Sequence, residues 1–466
     1  MKQDLMVSLR GGAPLNRLQQ SKLIAQLSWP AIMGQLSVLA MQYIDAAMVG
    51  RLGSDASAAI GLVTSSTWLF MELLKAANAG FSVPVAQCIG ARDNRNARNI
   101  MHQGYVVTLA FVLLLMAFGA AISGSLPRWL GADAVLWADA SDYFLVFVLS
   151  LPFLQIYRLS VAMLRASGNM RVPGVAMVVM CLLDVVFNAF LIFPAGTIAF
   201  GGIVLPGAGL GVLGAALGTA LAQVVCALFL LLYLLLFSPE LKLHRGEKLF
   251  FCREQLRQCV QIALPVAGEM TVTAVARIVT TRISAPLGTV AIAANSFGLT
   301  VEALCYMPGH GVQAAASTLI GQSIGAKRKD ITYPLSRLVV VLGMGVMIIS
   351  GILMYLFAPQ MMALLSTDPA VIALGVAVLR IEAFAEPLYA ASLVVSGVFQ
   401  GAGRTVIATV ITAVTMWGIR VPFSALLAPR FGLHGVWFAM ALQLSVSGLL
   451  FLFCLYRKRW LPEEMR

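Results

Sequence analysis

The sequence contains few charged residues. Only 11% of its 466 residues are Asp, Glu, Lys or Arg, whereas 60% are hydrophobic. A soluble chain of this length needs far more charge to cover its surface, so the composition excludes a soluble globular protein and predicts a membrane protein with several spans. The net charge of +12 is therefore assigned to loops that face anionic lipid, and no nucleic-acid partner is predicted.

Side chains that bind metals or form disulfides are also scarce. The four histidines lie in no ligand spacing, and the seven cysteines are scattered, most of them inside apolar segments. Neither a metal site nor a disulfide framework is predicted from this pattern. The sequence has no HExxH and no GxSxG motif, and no other pairing of a nucleophile with a base stands out. We therefore predict that the protein is not an enzyme and has no organic cofactor.

Apolar windows of about 20 residues, the length that crosses a bilayer, follow one another along the chain. Six precede a polar stretch from Ser238 to Arg257, and six follow it. We therefore predict an all-α membrane protein with twelve transmembrane helices in two six-helix bundles: an N-terminal lobe 1–237, a cytoplasmic linker 238–257 and a C-terminal lobe 258–466. The windows are 29–50, 58–81, 101–124, 140–164, 172–194, 212–237, 263–286, 291–314, 333–358, 372–400, 405–428 and 433–456.

Basic residues concentrate in every second loop. One cluster, 92–98, lies between the second and third spans, and others precede the first span, fill the linker, occupy 327–329 and follow the last span. Loops rich in Lys and Arg stay on the cytoplasmic side of a membrane. The alternation therefore predicts that both termini are cytoplasmic, as an even number of spans requires.

The two halves repeat each other at an offset of about 235 residues. Pro30 falls on Pro265 at this offset, and the segment 87–92, QCIGAR, falls on 322–327, QSIGAK. The offset changes within the Gly- and Pro-rich segment 195–209, which predicts an external turn or hairpin. Because six spans is an even number, both halves enter the membrane in the same direction. The repeat is therefore parallel, with a pseudo-two-fold axis along the membrane normal.

Three polar residues are special to the first half. Asp45 lies within the first span, and Asp184 and Asn188 are one turn apart in the fifth span, so the latter two share one helix face. A charged side chain inside a span costs roughly 2.5–3.5 kcal/mol on insertion scales, and it is usually retained because it faces a cavity or a partner. Their counterparts in the second half are Thr280, Ile419 and Phe423.

These three residues form the predicted ion-coupling site. The alternative for Asp45 is that it reaches water at the helix end or pairs with a Lys or Arg. The alternative for Asp184 and Asn188 is a hydrogen-bonded contact between helices.

The second half has its own charged residues inside spans. Glu269 follows Pro265 closely, and Glu382 and Glu386 share one helix face, with a kink expected at Pro387. Arg277, in the middle of the seventh span, is a candidate counter-charge. We predict that these side chains line a substrate cavity that favours cations; the alternative is a structural ion-pair network.

The run P-x14-D-x4-G-x-L-G that begins at Pro30, the twelve spans in two similar halves and the paired Q-x-I-G-A-[RK] loops resemble the multidrug and toxin extrusion (MATE) family. The resemblance extends from Leu23 to about Tyr456. It implies that Asp45 is the coupling aspartate and that Asp184 and Asn188 are the polar pair of the fifth helix. It also implies outward-facing and inward-facing states, with efflux driven by a proton or sodium gradient.

The second half departs from part of that family. Some members use acidic residues near the middle of the seventh and tenth helices as a cation site. Here Glu269 comes only four residues after Pro265, and Tyr389 occupies the tenth-helix position that aligns with the acid. The second-half sodium site of those members is therefore not expected here, and Tyr389 joins the predicted substrate cavity. The first-half pattern is more similar to the proton-coupled, DinF-like branch.

The expected function is secondary active export of amphipathic, cationic drugs or toxic metabolites in exchange for H+ or Na+. The expected protein is a monomer in the bacterial inner membrane, with small-molecule substrates and the lipid bilayer as its partners. The alternative is a flippase for a lipid-linked oligosaccharide, whose cavity needs unpaired arginines. The candidates for that role are Arg158, Arg277, Arg380 and Arg420.

Overall fold

The computed structural model describes residues 5–194, 199–200, 203–204, 207–244, 247 and 250–465. Long helices account for nearly all of them, separated by short connections. The α-helices are α1 (Leu5–Gly11), α2 (Arg17–Gly50), α3 (Ser54–Gly90), α4 (Asn94–Ile122), α5 (Leu126–Trp129), α6 (Trp137–Ala166), α7 (Arg171–Ile192), α8 (Gly211–Phe237), α9 (Arg253–Ser284), α10 (Thr289–Gly325), α11 (Lys329–Leu365), α12 (Pro369–Ala383), α13 (Glu386–Gly401), α14 (Thr405–Thr415) and α15 (Val421–Tyr456).

Short pieces of other structure join these helices. A π-helical turn, Met416–Arg420, lies between α14 and α15, and 3-10 turns cover Ala134–Leu136, Ala285–Leu287 and Glu463–Met465. Two short strands, β1 (Ala199–Phe200) and β2 (Ile203–Val204), pair antiparallel between α7 and α8. The hairpin predicted for this segment is confirmed for the residues that are described.

In the described part of the chain, ten helices are long and apolar enough to cross a membrane. Nine of them overlap one predicted span each, to within two residues at the ends. The tenth runs from Thr405 to Tyr456 through the π-helical turn and contains two predicted spans. Its backbone leaves the helical conformation at Gly432, where φ is 59° and ψ is −139°. The all-helical membrane architecture is confirmed, and the count of twelve crossings remains a prediction.

The remaining predicted span, 372–400, is divided between α12 and α13. Asp368 starts α12 as its N-cap, accepting a hydrogen bond from the amide of Ala370 at 2.8 Å, with Pro369 in the first turn. The helix stops at Ala383 because Pro387 has no amide hydrogen and its ring would clash with the carbonyl of Ala383. The kink predicted at Pro387 is therefore confirmed.

The helices pack into two compact units. The N-terminal unit consists of Gly34–Val85 and Asn94–Arg257, and the C-terminal unit consists of Met1–Met33, Ala86–Asp93 and Gln258–Arg466. In the N-terminal unit α6 packs against α4 and α8, and α7 packs against α8. In the C-terminal unit α13 packs against α10, α11 and α15. The division into lobes 1–237 and 258–466 stays a prediction.

The two repeated segments, at the C-terminal ends of α3 and α10, meet inside the C-terminal unit. A Cβ atom at Gly90 would overlap the carbonyl of Gln322, and one at Gly325 would overlap the carbonyl of Gln87. Gly90 and Gly325 are equivalent in the repeat, and so are the two glutamines. The contact is therefore reciprocal, as expected close to a pseudo-two-fold axis, and both positions require glycine.

Candidate functional site

The three polar residues special to the first half lie together in the N-terminal unit. The Nδ2 of Asn188 donates one hydrogen bond to Asp45 Oδ1 at 2.9 Å and another to Asp184 Oδ2 at 3.1 Å. The two carboxylate oxygens share one nitrogen, so they are at most 6.0 Å apart. The structure thus brings Asp45 on α2 into contact with α7. The ion-coupling role of the three residues remains a prediction.

The site has one open side and one closed side. Asp184 and Asn188 are completely buried, whereas Asp45 is only half-buried. Next to them lies an apolar cluster that includes Val49 and Ile192, each one turn beyond a site residue. In the described part of the chain, Asp184 Oδ1 and Asn188 Oδ1 have no hydrogen-bond partner. The buried end therefore offers oxygen atoms that a bound proton or a small cation can satisfy.

The structure bears differently on the two alternative interpretations of this site, an ion pair of Asp45 and a helix contact between Asp184 and Asn188. No described Lys or Arg lies within ion-pair distance of Asp45, so its partner is the carboxamide of Asn188. The proposed contact between Asp184 and Asn188 does exist, but it continues to a third residue on another helix. Two carboxylates at this separation in apolar surroundings repel each other strongly, and a positive ion between them lowers the energy.

Sequence reasoning missed Gly218, which helps to build this site. It lies on α8, and a Cβ atom there would overlap Oδ1 of Asn188. The absence of a side chain therefore makes room for the carboxamide between α7 and α8. The glycine spacing 211, 214 and 218 at the start of the sixth span was the available signal, because small residues at such spacing allow helices to approach closely.

A second group of charged residues lies in the C-terminal unit. Glu302 on α10, Glu382 on α12 and Glu386 on α13 are buried, together with Arg420 in the π-helical turn. Glu382 interacts electrostatically with the other three. No carboxylate oxygen of Glu382 or Glu386 has a hydrogen-bond partner among the described residues. The cluster therefore holds three acids against one buried guanidinium, and its own side chains leave it incompletely paired.

The other predicted cavity residues surround this cluster unevenly. Tyr389 is half-buried, and its ring lies 5.9 Å from that of Tyr306 in an edge-to-face arrangement. Arg277 is exposed on α9 and interacts electrostatically with Glu302. Glu269 lies against α14, where Thr412 Oγ1 donates a hydrogen bond to its Oε1 at 3.1 Å. The structure thus connects Glu382, Glu386 and Tyr389, and it places Glu269 in a different contact.

Arg420, and not Arg277, is the buried counter-charge of this group. Its Nη2 lies 2.7 Å from Met440 Sδ, and its Nε has no hydrogen-bond partner in the described part of the chain. Arg420 is the last residue of the π-helical turn, and such turns frequently occur at functional sites. Nothing in the local sequence MWGIR announces a π-helical turn, so spacing alone did not identify this role.

Comparison with known proteins gives a consistent result. The family model MatE matches residues 30–190 and 265–426, two segments with the same offset as the repeat. A probable multidrug resistance protein NorM of Thermotoga maritima is 24% identical over 441 residues, which cover 94% of this chain and 93% of the relative. An uncharacterized transporter of Bacillus subtilis, YisQ, is 23% identical over 94% of this chain and 95% of its own length.

The fold agrees with solved structures as well. A crystal structure of MATE in complex with MaL6 superposes with a TM-score of 0.88 at 21% sequence identity, covering 98% of both chains. The two family-model matches together cover more than half of the present sequence. The chain therefore belongs to the multidrug and toxin extrusion (MATE) family of multi-pass membrane proteins.

Proposed function

We propose that this protein is a secondary active efflux antiporter that exports amphipathic, cationic drugs or toxic metabolites in exchange for protons or sodium ions. Membership of the MATE family and the name of the Thermotoga maritima relative, a probable multidrug resistance protein, support export of this kind. The observation that carries the proposal is the contact of Asn188 with both Asp45 and Asp184. This site can bind one positive ion, and Asp45 is open enough to exchange it.

The second carboxylate cluster supports the choice of cationic substrates. Three buried acids, Glu302, Glu382 and Glu386, lie with one buried guanidinium, that of Arg420, so a bound cation can balance the carboxylates that Arg420 leaves unpaired. In apolar surroundings a net negative charge attracts cations strongly. The proposed substrate cavity would therefore prefer amphipathic cations, whose apolar parts contact the surrounding rings such as Tyr389.

The proposed architecture has twelve crossings in two six-helix bundles in the inner membrane, with both termini in the cytoplasm. The count follows if the long helix from Thr405 to Tyr456 makes two crossings around Gly432, and if α12 and α13 together make one. The alternation of basic loops supports the orientation.

The test is transport into inverted membrane vesicles, in which export appears as uptake. A fluorescent cationic dye is supplied outside, and an outward proton gradient or an outward sodium gradient is imposed separately. We expect the dye to accumulate with one of the two gradients and to leak back when that gradient collapses. Dye uptake at the same rate with and without either gradient would contradict the antiporter proposal. Movement of a lipid-linked diphosphate sugar without dye uptake would favour the flippase.

A further inference from the structure

A groove on the surface of the C-terminal unit contains an arginine. The groove lies between α11, α12 and α15 and has a volume of about 440 Å³. Its lining includes Tyr355, Arg380, Phe384, Phe438, Leu442 and Ser445. None of these residues belongs to the ion-coupling site or to the buried carboxylate cluster.

Arg380 has no anionic partner in the part of the chain that the structure describes. Its side chain is exposed, and its guanidinium lies 5.1 Å from the centre of the Tyr355 ring, a cation–π contact. Glu382, two residues later, is completely buried and interacts with the carboxylate cluster instead. Among the described residues, Arg380 is therefore one of the unpaired arginines that the sequence singles out, but it lies on the surface of the unit.

The surroundings of Arg380 are otherwise apolar. Phe384 is 77% exposed and Phe438 is 52% exposed, and exposed apolar side chains such as Leu353 and Phe357 continue along α11. A surface of this kind on a membrane protein faces lipid tails. An isolated guanidinium among lipid tails is costly, so it is expected to have an anionic partner.

The position of Arg380 along its helix indicates which part of the lipid reaches it. Laid end to end without the kink, the two helices from Pro369 to Gly401 would measure about 48 Å at 1.5 Å per residue, against a hydrocarbon core of about 30 Å. The Cα atom of Arg380 is about 17 Å from Pro369, which is roughly 8 Å inside the core if the surplus is equal at both ends. Side chains on a helix point toward its N-terminus, so the guanidinium reaches the headgroup boundary on that side.

We propose that this groove is a binding site for an anionic phospholipid of the phosphatidylglycerol type. The guanidinium of Arg380 binds the phosphate through two parallel hydrogen bonds, the geometry that arginine favours. One acyl chain lies in the groove against Phe384 and Phe438. A lipid with a net negative charge is preferred, because the ammonium group of phosphatidylethanolamine would be repelled by the guanidinium.

The experiment measures lipid binding to the purified, full-length protein by native mass spectrometry. Phosphatidylglycerol and phosphatidylethanolamine with the same acyl chains are titrated separately. Arg380→Gln is expected to weaken phosphatidylglycerol binding about tenfold, because it removes charge-assisted hydrogen bonding to the phosphate. Arg380→Lys should lose less affinity for phosphatidylglycerol, since lysine keeps the positive charge but cannot form the two parallel hydrogen bonds. Binding of phosphatidylethanolamine should change little.

A matched control is Arg430→Gln, which removes an exposed arginine elsewhere in the same unit. Unchanged phosphatidylglycerol affinity in Arg380→Gln, or an equal loss in Arg430→Gln, would overturn the proposal. Displacement of the lipid by millimolar inorganic phosphate would also overturn it, because the acyl chain would then contribute nothing. Unfolding temperatures without added lipid show whether each variant is folded. The readout is independent of transport, so the antiporter proposal can fail without affecting it.

Discussion

The carboxamide of Asn188 connects two carboxylates that lie on different helices of the N-terminal unit. Its Nδ2 is the donor in both contacts, at 2.9 Å and 3.1 Å. A proton or cation that binds here therefore changes the contact between α2 and α7, which is what coupling of ion binding to helix movement requires. Asp45 is the half-buried member of the group, and we therefore propose that it is the one that exchanges an ion with water.

Asp45→Asn is expected to abolish gradient-driven dye uptake almost completely. The substitution keeps the size and hydrogen bonding of the side chain but removes the group that gains and loses a proton. Insertion into the membrane should be normal, because removal of a charge from an apolar span does not oppose folding. The measurement is uptake into inverted vesicles, with the amount of protein in the membrane quantified in parallel.

Two variants frame that result. Asp184→Asn should reduce uptake less, since Asp45 remains able to bind the ion. Asp55→Asn, at the exposed start of α3, should transport at the rate of the unmodified protein. If Asp45→Asn still accumulates dye against a gradient at the unmodified rate, the carboxylate is structural and the proposed coupling site is wrong.

Gly218→Ala tests how closely α8 must approach the site. The added methyl group would overlap Asn188 Oδ1, so the carboxamide or the helix has to shift. We expect a loss of stability of about 1–3 kcal/mol, typical of overpacking, together with slower transport. Gly61→Ala is the control, because a Cβ atom there meets nothing within 4 Å. Thermal unfolding of the purified variants should separate the two; equal unfolding temperatures would show that α8 tolerates the methyl group.

At the scale of elements, side-chain hydrogen bonds hold the segment that follows α8 against α4. The guanidinium of Arg98 donates two hydrogen bonds to the carboxylate of Glu247, both at 2.7 Å. Nearby, the side chains of Asn99 and Gln103 each donate to Gln255 Oε1 at 2.8 Å. The predicted linker is therefore held along α4 by an ion pair and neutral hydrogen bonds.

The ion pair predicts a pH dependence. The hydrogen bonds from Arg98 lower the pKa of Glu247 from its ordinary value of 4.5. A carboxyl group whose pKa is lower in the folded state stabilises that state above the unfolded pKa, and the stabilisation is lost as the pH falls through the folded pKa. Amide hydrogen exchange in 238–257, corrected for its intrinsic pH dependence, should therefore accelerate below about pH 4.5.

Glu247→Gln provides the comparison for this measurement. It removes the titrating group, so its exchange should already be faster at neutral pH and should change little on acidification. Parallel pH profiles for this variant and the unmodified protein would show that another group controls the attachment of the linker.

The helices show which structural features the sequence could predict. Apolar windows located nine of the ten long helices one-to-one, because burial in lipid requires continuous apolar runs. Pro387 indicated the break between α12 and α13, because proline has no amide hydrogen to continue a helix. The π-helical turn that contains Arg420 had no such signal, since the choice between α and π hydrogen bonding depends on tertiary packing.

The candidate site was predictable to a similar degree. Comparison of the two halves singled out Asp45, Asp184 and Asn188, and the structure joins them in one hydrogen-bonded group. The contribution of Gly218 was not predictable from polarity, because this residue has no functional group and acts only by leaving room for the carboxamide of Asn188. Arg277, the counter-charge predicted from its place in a span, is exposed and interacts with Glu302, and the structure adds Arg420 as a buried guanidinium. Sequence spacing reports which residues share a helix face, but not which faces meet.

At the scale of the whole molecule, the same internal repeat is found in the sequence, in the contacts between residues and in the matches to the family model. The offset of 235 residues appears in the paired loops, and the two family-model matches begin at residues 30 and 265. It appears again in the reciprocal contacts of Gly90 and Gly325 with the two equivalent glutamines. The repeat thus relates the two halves of the chain, and the polar residues that differ between them provide the candidate sites.

The last prediction concerns the orientation of this scaffold in the membrane. Single cysteines are introduced at Lys242, after α8, and at Thr367, before α12; both positions are exposed. Ser238 is unsuitable because it is 1% exposed, and Asp368 because it caps α12. The basic linker should be cytoplasmic and the loop at Thr367 external. In intact cells a membrane-impermeant maleimide should therefore label the cysteine at 367 and leave the one at 242 unmodified until the cells are opened. The unmodified protein, with its own seven cysteines, measures the background labelling. Labelling of both introduced cysteines from outside would place an even number of crossings between them, instead of the predicted three, and refute the twelve-crossing topology, whereas labelling of 242 alone would invert it.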